Sequence, residues 1–431
     1  VYDVQVTHTR TLSPDLLAAI TGGRAGESCR PARDVVWDSR MVEPGYAFFA
    51  LPGNTSDGED FVAEALERGA ALAFSRLPGR RRLTVSDTYA ALLELGRWLR
   101  GGLVGPLLAV TGSVGKTGTK EALRQALGWP ATSGNLNTPP ALVRFFWNLD
   151  PAAAGAVVEL GIDHPGEMAD LVHLTRPDLG ILTAIAPVHL EGLGTLADVA
   201  REKLSLLEAS PLKLAHVATA SWSLPAGSRT YGFEAGADFR GAELELSCQG
   251  TSFTYGGRRL HLQTLGRGAA LAALAALAAA EMLGEDVAAA AERLEQQAPA
   301  PHRLQPRRLG DALWLDDSYN ASPRALEAAL ELLSRCPGPK GVILGTMREL
   351  GAEAERWHRW AAARVREVAD RALFVGEFAP LMAAGWPAAT AAASASEAAE
   401  LLDDWRRGLQ TVLLKGSRAL ELEKLLEVPL A

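Results

Sequence analysis

The stretch Leu107-Leu108-Ala109-Val110-Thr111-Gly112-Ser113-Val114-Gly115-Lys116-Thr117 joins an apolar run to a Gly-rich turn that ends in Lys-Thr. Four consecutive apolar residues, Leu107 to Val110, read as a short buried strand, and Thr119 to Leu127 reads as the helix that follows. A turn of this kind presents backbone N–H groups and the positive end of the next helix to an anion. Gly112, Ser113 and Gly115 let the main chain approach phosphate closely, Lys116 neutralises β/γ-phosphates, and the Thr117 hydroxyl is placed to ligate Mg²⁺. The pattern predicts an ATP or GTP site rather than a chance Gly-Lys-Thr turn. The strict form of the motif needs glycine at position 110, where Val110 stands. The strand–loop–helix context therefore carries the reading.

Outward from this loop the chain alternates strand and helix, which argues for an α/β fold with crossover helices. Its 431 residues are too many for one ordinary core and predict about three domains. Residues 1–84 read as a small α/β domain, with strands at Tyr46–Leu51 and Ala70–Phe74 around a helix at Phe61–Arg68. Residues 85–301 form a P-loop ATPase-like central domain with a mostly parallel sheet. They include a helix at Thr88–Arg100, strands at Ala156–Leu160 and Leu179–Thr183, and a β-meander over Ala237–Gly266. Residues 302–431 alternate again, as a Rossmann-like α/β domain with strands at Ala312–Leu315, Gly341–Leu344, Ala372–Val375 and Thr411–Leu414. Pro299-Ala300-Pro301 reads as a stiff hinge before this last domain.

Composition narrows the function. A net charge of -8 argues against binding a phosphate backbone as the main activity, so no nucleic-acid partner is expected. The cation pool is mostly Arg, which makes each of the few lysines worth inspecting. Cys29, Cys248 and Cys336 are widely spaced, odd in number and without a Cys-x-x-Cys pair. That suits a reducing cytosol better than a disulfide framework or a zinc site. The N-terminus lacks the basic start and apolar run of a signal peptide. The stretch Ala269–Leu283 is too short to span a bilayer and contains Glu281, so it reads as a buried helix. A cytoplasmic protein without membrane insertion is expected.

Three further residues stand where open α/β sheets gather ligands, at or after strand ends. Glu159 closes an apolar strand and is a candidate second Mg²⁺ anchor, because hard cations prefer oxygen; a surface strand-end Glu is the alternative. His189, in Ala186-Pro187-Val188-His189-Leu190-Glu191-Gly192, is by itself more ordinarily a solvated histidine. Lys203 lies in the helix Leu196–Glu208, where a lysine ordinarily faces solvent.

Taken together and in order, the phosphate loop, Glu159-Leu160-Gly161 with His164-Pro165-Gly166-Glu167, Arg176-Pro177-Asp178, His189-Leu190-Glu191-Gly192 and Lys203 resemble the Mur ligase superfamily. Asp316-Asp317-Ser318-Tyr319-Asn320-Ala321-Ser322-Pro323, Gly345-Thr346-Met347-Arg348-Glu349-Leu350-Gly351 and Leu414-Lys415-Gly416-Ser417-Arg418 are similar to the third-domain motifs of its D-alanyl-D-alanine-adding branch. Asp38-Ser39-Arg40 and Asp57-Gly58-Glu59-Asp60-Phe61 resemble the UDP-sugar-binding elements of the N-terminal domain. The likeness spans essentially the whole chain.

The resemblance implies an ATP-dependent amide ligase of peptidoglycan precursor synthesis, and so a part in cell-wall biogenesis, cell shape and division. ATP phosphorylates the terminal carboxylate of UDP-N-acetylmuramoyl-tripeptide, and the amine of D-alanyl-D-alanine attacks the acyl phosphate. It implies two Mg²⁺ ions, held by Thr117 and Glu159 and by His189 with Lys203, the latter carbamylated by CO₂. Arg303 and Asp317 are assigned to ATP, Asn320 to the phosphates or the incoming amine, and Ser39, Arg40, Asp57, Asn135 and Asn137 to the UDP-linked substrate. Domain 302–431 binds D-alanyl-D-alanine and closes on ATP, and a monomer is expected. Some positions depart from the family pattern. Ala269 and Ala272 replace two Asn, one of which reads adenine. His302 replaces a Gly before Arg303, Gly118 replaces a Ser or Thr, and the loop through Thr138-Pro139-Pro140 is shorter. A sibling ligase, folylpolyglutamate synthase and a non-catalytic UDP-muramoyl-binding paralogue are the competing readings. The third residue of the tripeptide is left open.

Overall fold

The computed structural model describes residues 10–53, 56–187, 190–348 and 350–427, without the side chains of residues 190, 191 and 352. The expected strands of the first domain form, and short strands at Arg24–Ala25, Asp34–Val36 and Arg82–Thr84 join them. Asp34–Val36, Tyr46–Phe49, Leu72–Ser75 and Arg82–Thr84 run parallel, with Arg24–Ala25 antiparallel at the edge. These pieces are only two to four residues long, so little periodicity marks them in the sequence. Phe49 and Phe74 stack at 3.9 Å across two of them, fixing the register of the sheet interior.

In the middle domain the sheet has six strands, all parallel. Phe239–Arg240, Arg229–Gly232, Leu212–His216, Leu179–Leu182, Leu107–Thr111 and Ala156–Glu159 follow one another across it. Near-continuous apolar strands are what a sheet covered on both faces requires. The meander is shorter than expected: its three antiparallel strands span Ala242–Leu262, while Phe239–Arg240 extends the main sheet instead. The Ala/Leu stretch is also longer than expected. Its helix runs 18 residues, Gly266–Leu283, so length alone does not exclude a membrane span. It lies in the core against the helix after the phosphate loop. Alanine at most contact positions lets these two helices approach closely.

The third domain carries the strands Gln305–Leu309, Ala312–Asp317, Thr411–Lys415, Lys340–Gly345, Arg371–Val375 and Ala389–Ala392 in that spatial order, all parallel except the first. The turn into this domain falls after the prolines rather than on them. His302 and Leu304 both adopt left-handed backbone conformations, at φ 59° and 48°. A glycine occupies such a conformation without steric cost, which accounts physically for the resemblance's Gly at position 302. The spaced cysteines come partly together: all three are free, but Cys248, on the meander, packs against the third-domain core that holds Cys336, whose thiol donates to Leu332 O at 3.5 Å.

The first two domains share one apolar cluster, which includes Leu17, Leu83, Leu92, Leu142, Leu171 and Leu206. A polar lock sits beside it. The buried Asp34 carboxylate accepts from Arg144 Nε and Nη2 at 3.0 and 2.8 Å and from Asn148 Nδ2 at 2.9 Å. Removing one member of a buried pair strands the other charge. Asp34→Ala should therefore lower the unfolding free energy by about 3–5 kcal/mol, seen as a lower denaturant midpoint at unchanged m-value.

Candidate functional site

The phosphate loop leaves the sheet at Thr111 and enters its helix at Lys116, three residues before the expected start at Thr119. Gly115 caps that helix at φ 89°, a conformation that lets the loop turn sharply enough for Lys116 and Thr117 to occupy the first turn. Gly112 is required for a second reason. At φ 151° a Cβ there would lie 2.0 Å from Thr183 Oγ1. That hydroxyl is itself 2.6 Å from Val114 O and 3.2 Å from Thr111 O. Ser113 binds the next strand's exit, its N–H donating to Ala184 O at 2.8 Å and its hydroxyl exchanging bonds with Ala186. Lys116 Nζ folds back onto Gly112 O at 2.7 Å.

Glu159 ends the neighbouring strand, paired in register with Val110. Its carboxylate is 1% exposed. Oε1 accepts from Asn137 Nδ2 at 3.0 Å, while Oε2 is buried with no partner among the described residues. Asn137 thus lies on the metal-binding candidate, and Gly161 makes room for it, since a Cβ there would meet the Asn137 amide at 2.5 Å. Asn135 is exposed on the same loop. The loop is anchored by a residue the sequence reading passed over. Lys120 is fully buried, and its Nζ donates to Thr132 O at 2.5 Å and Gly134 O at 2.9 Å, beside the Glu121 carboxylate at 2.9 Å.

Lys203 is the clearest departure from the ordinary fate of a helical lysine. It is 1% exposed, and its ammonium is destabilised from the usual 10.5 to about 7. Burial is the largest cause and the nearby Lys116 charge the second, with Asp163 and Glu202 pulling the other way. Thr117 lies in the first turn of the helix after one strand, Glu159 ends the neighbouring strand, and Lys203 lies in the helix before Leu212–His216, near enough to Lys116 to feel its charge. His189 lies outside the described residues. Among the described residues no group of three or more His, Cys, Asp and Glu side chains forms a metal cluster; the candidate set here also draws on Thr and Lys.

The third-domain candidates form a second group. Asp317 Oδ2 accepts from Lys415 Nζ at 2.5 Å, and Oδ1 accepts from Leu304 N at 3.3 Å. Lys415 also donates to Asn320 O at 3.0 Å. The Arg303 guanidinium lies 3.8 Å from the Tyr319 ring centre. Lys415, buried at 2% exposure, was legible only as part of the Leu414–Arg418 motif. In the N-terminal domain Ser39 and Arg40 follow one strand and Asp57 follows its parallel neighbour, on the same edge of that sheet. Each is already engaged: Ser39 Oγ donates to Glu64 Oε2 at 2.8 Å, Arg40 pairs with Asp38, and Asp57 with Arg76. Ser39 is nearly buried, so its hydroxyl positions the turn more than it offers itself to a ligand.

Residues 33–87 match the Mur ligase family catalytic domain, 110–280 the Mur ligase middle domain and 302–418 the Mur ligase glutamate ligase domain. The chain is 36% identical over 369 residues to the UDP-N-acetylmuramoyl-tripeptide–D-alanyl-D-alanine ligase of Escherichia coli K12, covering 80% of this chain and 81% of that one. The chain belongs to the Mur ligase family. Among solved structures, MurF from Acinetobacter baumannii superposes with a TM-score of 0.89 at 28% identity, over 97% of this chain and 98% of the other. MurF from Thermotoga maritima in complex with ADP gives 0.82 at 27%, over 92% and 97%. The α/β architecture in three parts is thus a Mur ligase architecture throughout.

The depressed Lys203 ammonium makes a pH-dependent prediction for the metal-free Mur ligase. Unfolded, Lys203 keeps its proton up to about 10.5, whereas folded it loses it near 7. Between those values the unfolded state binds more protons, so folding stability rises with pH. Measured against Lys203→Met, the wild-type contribution should be fully present above about pH 10.5 and lost as pH falls to 7. Denaturation midpoints across pH 6–11 (roughly the window set by these values) check it; parallel curves for the two proteins would contradict it.

Proposed function

We propose that this chain joins D-alanyl-D-alanine to UDP-N-acetylmuramoyl-tripeptide at the expense of ATP, through an acyl phosphate of the tripeptide's terminal carboxylate. The carrying observation is the sealed Glu159 carboxylate, with one oxygen tied to Asn137 and the other unpartnered, beside a phosphate loop. It occurs in a chain 36% identical to an enzyme named for that reaction.

An unpartnered buried carboxylate oxygen beside a phosphate loop is a donor suited to a hard cation. Thr117 and Glu159 would hold one Mg²⁺, and His189 with a carbamylated Lys203 a second. When bound, the ions supply charge screening between two anions and hold the phosphoryl group for in-line transfer. A Lys203 amine neutral near pH 7 is the nucleophile that CO₂ requires, so burial prepares it for the carbamate.

The protein's own groups do the rest. Backbone N–H groups of Val114 to Thr117 cradle the nucleotide phosphates. Lys116 leaves Gly112 O to neutralise charge on the transferred group. Arg303 and Asp317 bring the phosphates and ribose to the third domain, and Asn320 orients the incoming amine. Arg40, Asp57 and Asn135 serve the UDP-linked substrate, Ser39 holds the turn that carries Arg40, and Asn137 orients Glu159. Closure of residues 302–431 over the middle domain excludes water, which would otherwise hydrolyse the acyl phosphate. The enzyme acts as a cytoplasmic monomer that supplies peptidoglycan precursors for wall growth and division.

Phosphate release by the purified chain should require ATP, UDP-N-acetylmuramoyl-tripeptide and D-alanyl-D-alanine together. Release without the peptide substrates, or none with all three, removes the ligase reading. Lys116→Ala and Glu159→Gln should each lower kcat/KM by about 10²–10³ or more, with native circular dichroism retained.

A further inference from the structure

His216 closes the strand Leu212–His216, which is separated from the phosphate-loop strand by Leu179–Leu182 alone. Adjacent strands lie about 4.8 Å apart, so the end of this strand is about 10 Å across the sheet edge from the phosphate loop. That is the distance a nucleotide spans from its phosphates to its base. His216 pairs in register with Tyr231, their rings 5.4 Å apart. Tyr231 packs in the core layer formed by the helix Gly266–Leu283, so His216 faces the start of the same helix.

That start offers little polar chemistry. After Gly266 it reads Arg267-Gly268-Ala269-Ala270-Leu271-Ala272, and Arg267 is committed to Glu331 through two bonds of 3.1 and 2.9 Å. His216 is 4% exposed, and its Nε2 is buried with no hydrogen-bond partner among the described residues. Buried polar atoms are ordinarily paired, so this nitrogen points to a missing partner. We propose that His216 is the side chain that recognises the purine ring of the nucleotide, hydrogen-bonding the base edge where the neighbouring helix presents only alanine.

The surroundings suit that role. Burial is the main influence lowering the ring's proton affinity; Glu234 opposes it, and Arg324 and Arg267 add to it. The imidazole is therefore neutral near pH 7, with one donor and one acceptor nitrogen to match the mixed donor and acceptor edge of adenine. Arg324 lies in the third-domain helix Pro323–Ser334. The ring therefore lies on the side of the middle domain that faces the third.

This inference rests on the nucleotide site proposed above, and the test separates the two. Calorimetric titrations of the full chain use ADP, which carries the base, and inorganic tripolyphosphate, which does not. His216→Leu should weaken ADP about tenfold, His216→Asn should recover most of that loss, and tripolyphosphate should bind all three proteins alike. ADP binding unchanged in His216→Leu, or ADP and tripolyphosphate weakened equally, overturns the assignment. Wild-type protein that binds neither probe overturns the nucleotide site, and this reading with it. A measurement on the wild type removes any dependence on variant folding: the ¹⁵N imidazole signal of His216 should shift on adding ADP and stay fixed on adding tripolyphosphate. A signal indifferent to both, while ADP binds, also overturns the assignment.

Discussion

Burying a carboxylate at the end of a parallel strand and an amine on a nearby helix is the constraint on which this structure depends. Glu159 and Lys203 are each 1% exposed, and ordinary globular packing keeps such groups in water. A strand end carries Glu159 inward and a helix carries Lys203, and supporting contacts are built around the carboxylate. Asn137 holds Glu159, Lys120 holds the loop that carries Asn137, and Gly161 leaves the space for it. Thr183 ties the phosphate loop to the adjacent strand from below. The arrangement concentrates unmet electrostatic demand at one point, as sites for phosphoryl transfer require.

The long apolar strands were legible because each is buried on both faces, and the phosphate loop because its residues sit between a strand and a helix. Short edge strands such as Asp34–Val36 and Ala389–Ala392 escaped, since three or four residues carry no period. The early start of the helix at Lys116 escaped because the left-handed turn at Gly115 is a backbone property that residue type only permits. Within the site, Thr117, Glu159 and Lys203 were found through order and spacing. Lys120 and Lys415 were harder to see. A lysine in a helix or at a strand end has the same one-letter code whether it reaches solvent or buried oxygens of its own chain. Their scarcity in an Arg-rich chain was the available signal. Asn137 was assigned to substrate, and only the fold revealed that it grips the metal-binding candidate.

The third-domain group shows a different economy of contacts. Asp317, Asn320 and Lys415 are organised around one buried ammonium, while Arg303 rests on Tyr319. The first three hold one another in place, and the arginine is held by an aromatic face. His302 pairs with the fully buried Asp316 at 2.8 Å, tying the turn into the domain to its first parallel strand.

The apolar cluster that runs unbroken from Leu17 to Leu206 has a consequence for how the chain can be divided. A cut near residue 84 would open a hydrocarbon interior on both fragments, whereas the joint near residue 302 is crossed by the Arg267–Glu331 pair and by a small apolar patch in which Leu246 and Leu265 meet the third-domain core. The first two of the three sequence modules therefore share one interior. Dividing the chain near residue 84 would leave neither fragment its own closed core, so the two modules fold as one unit.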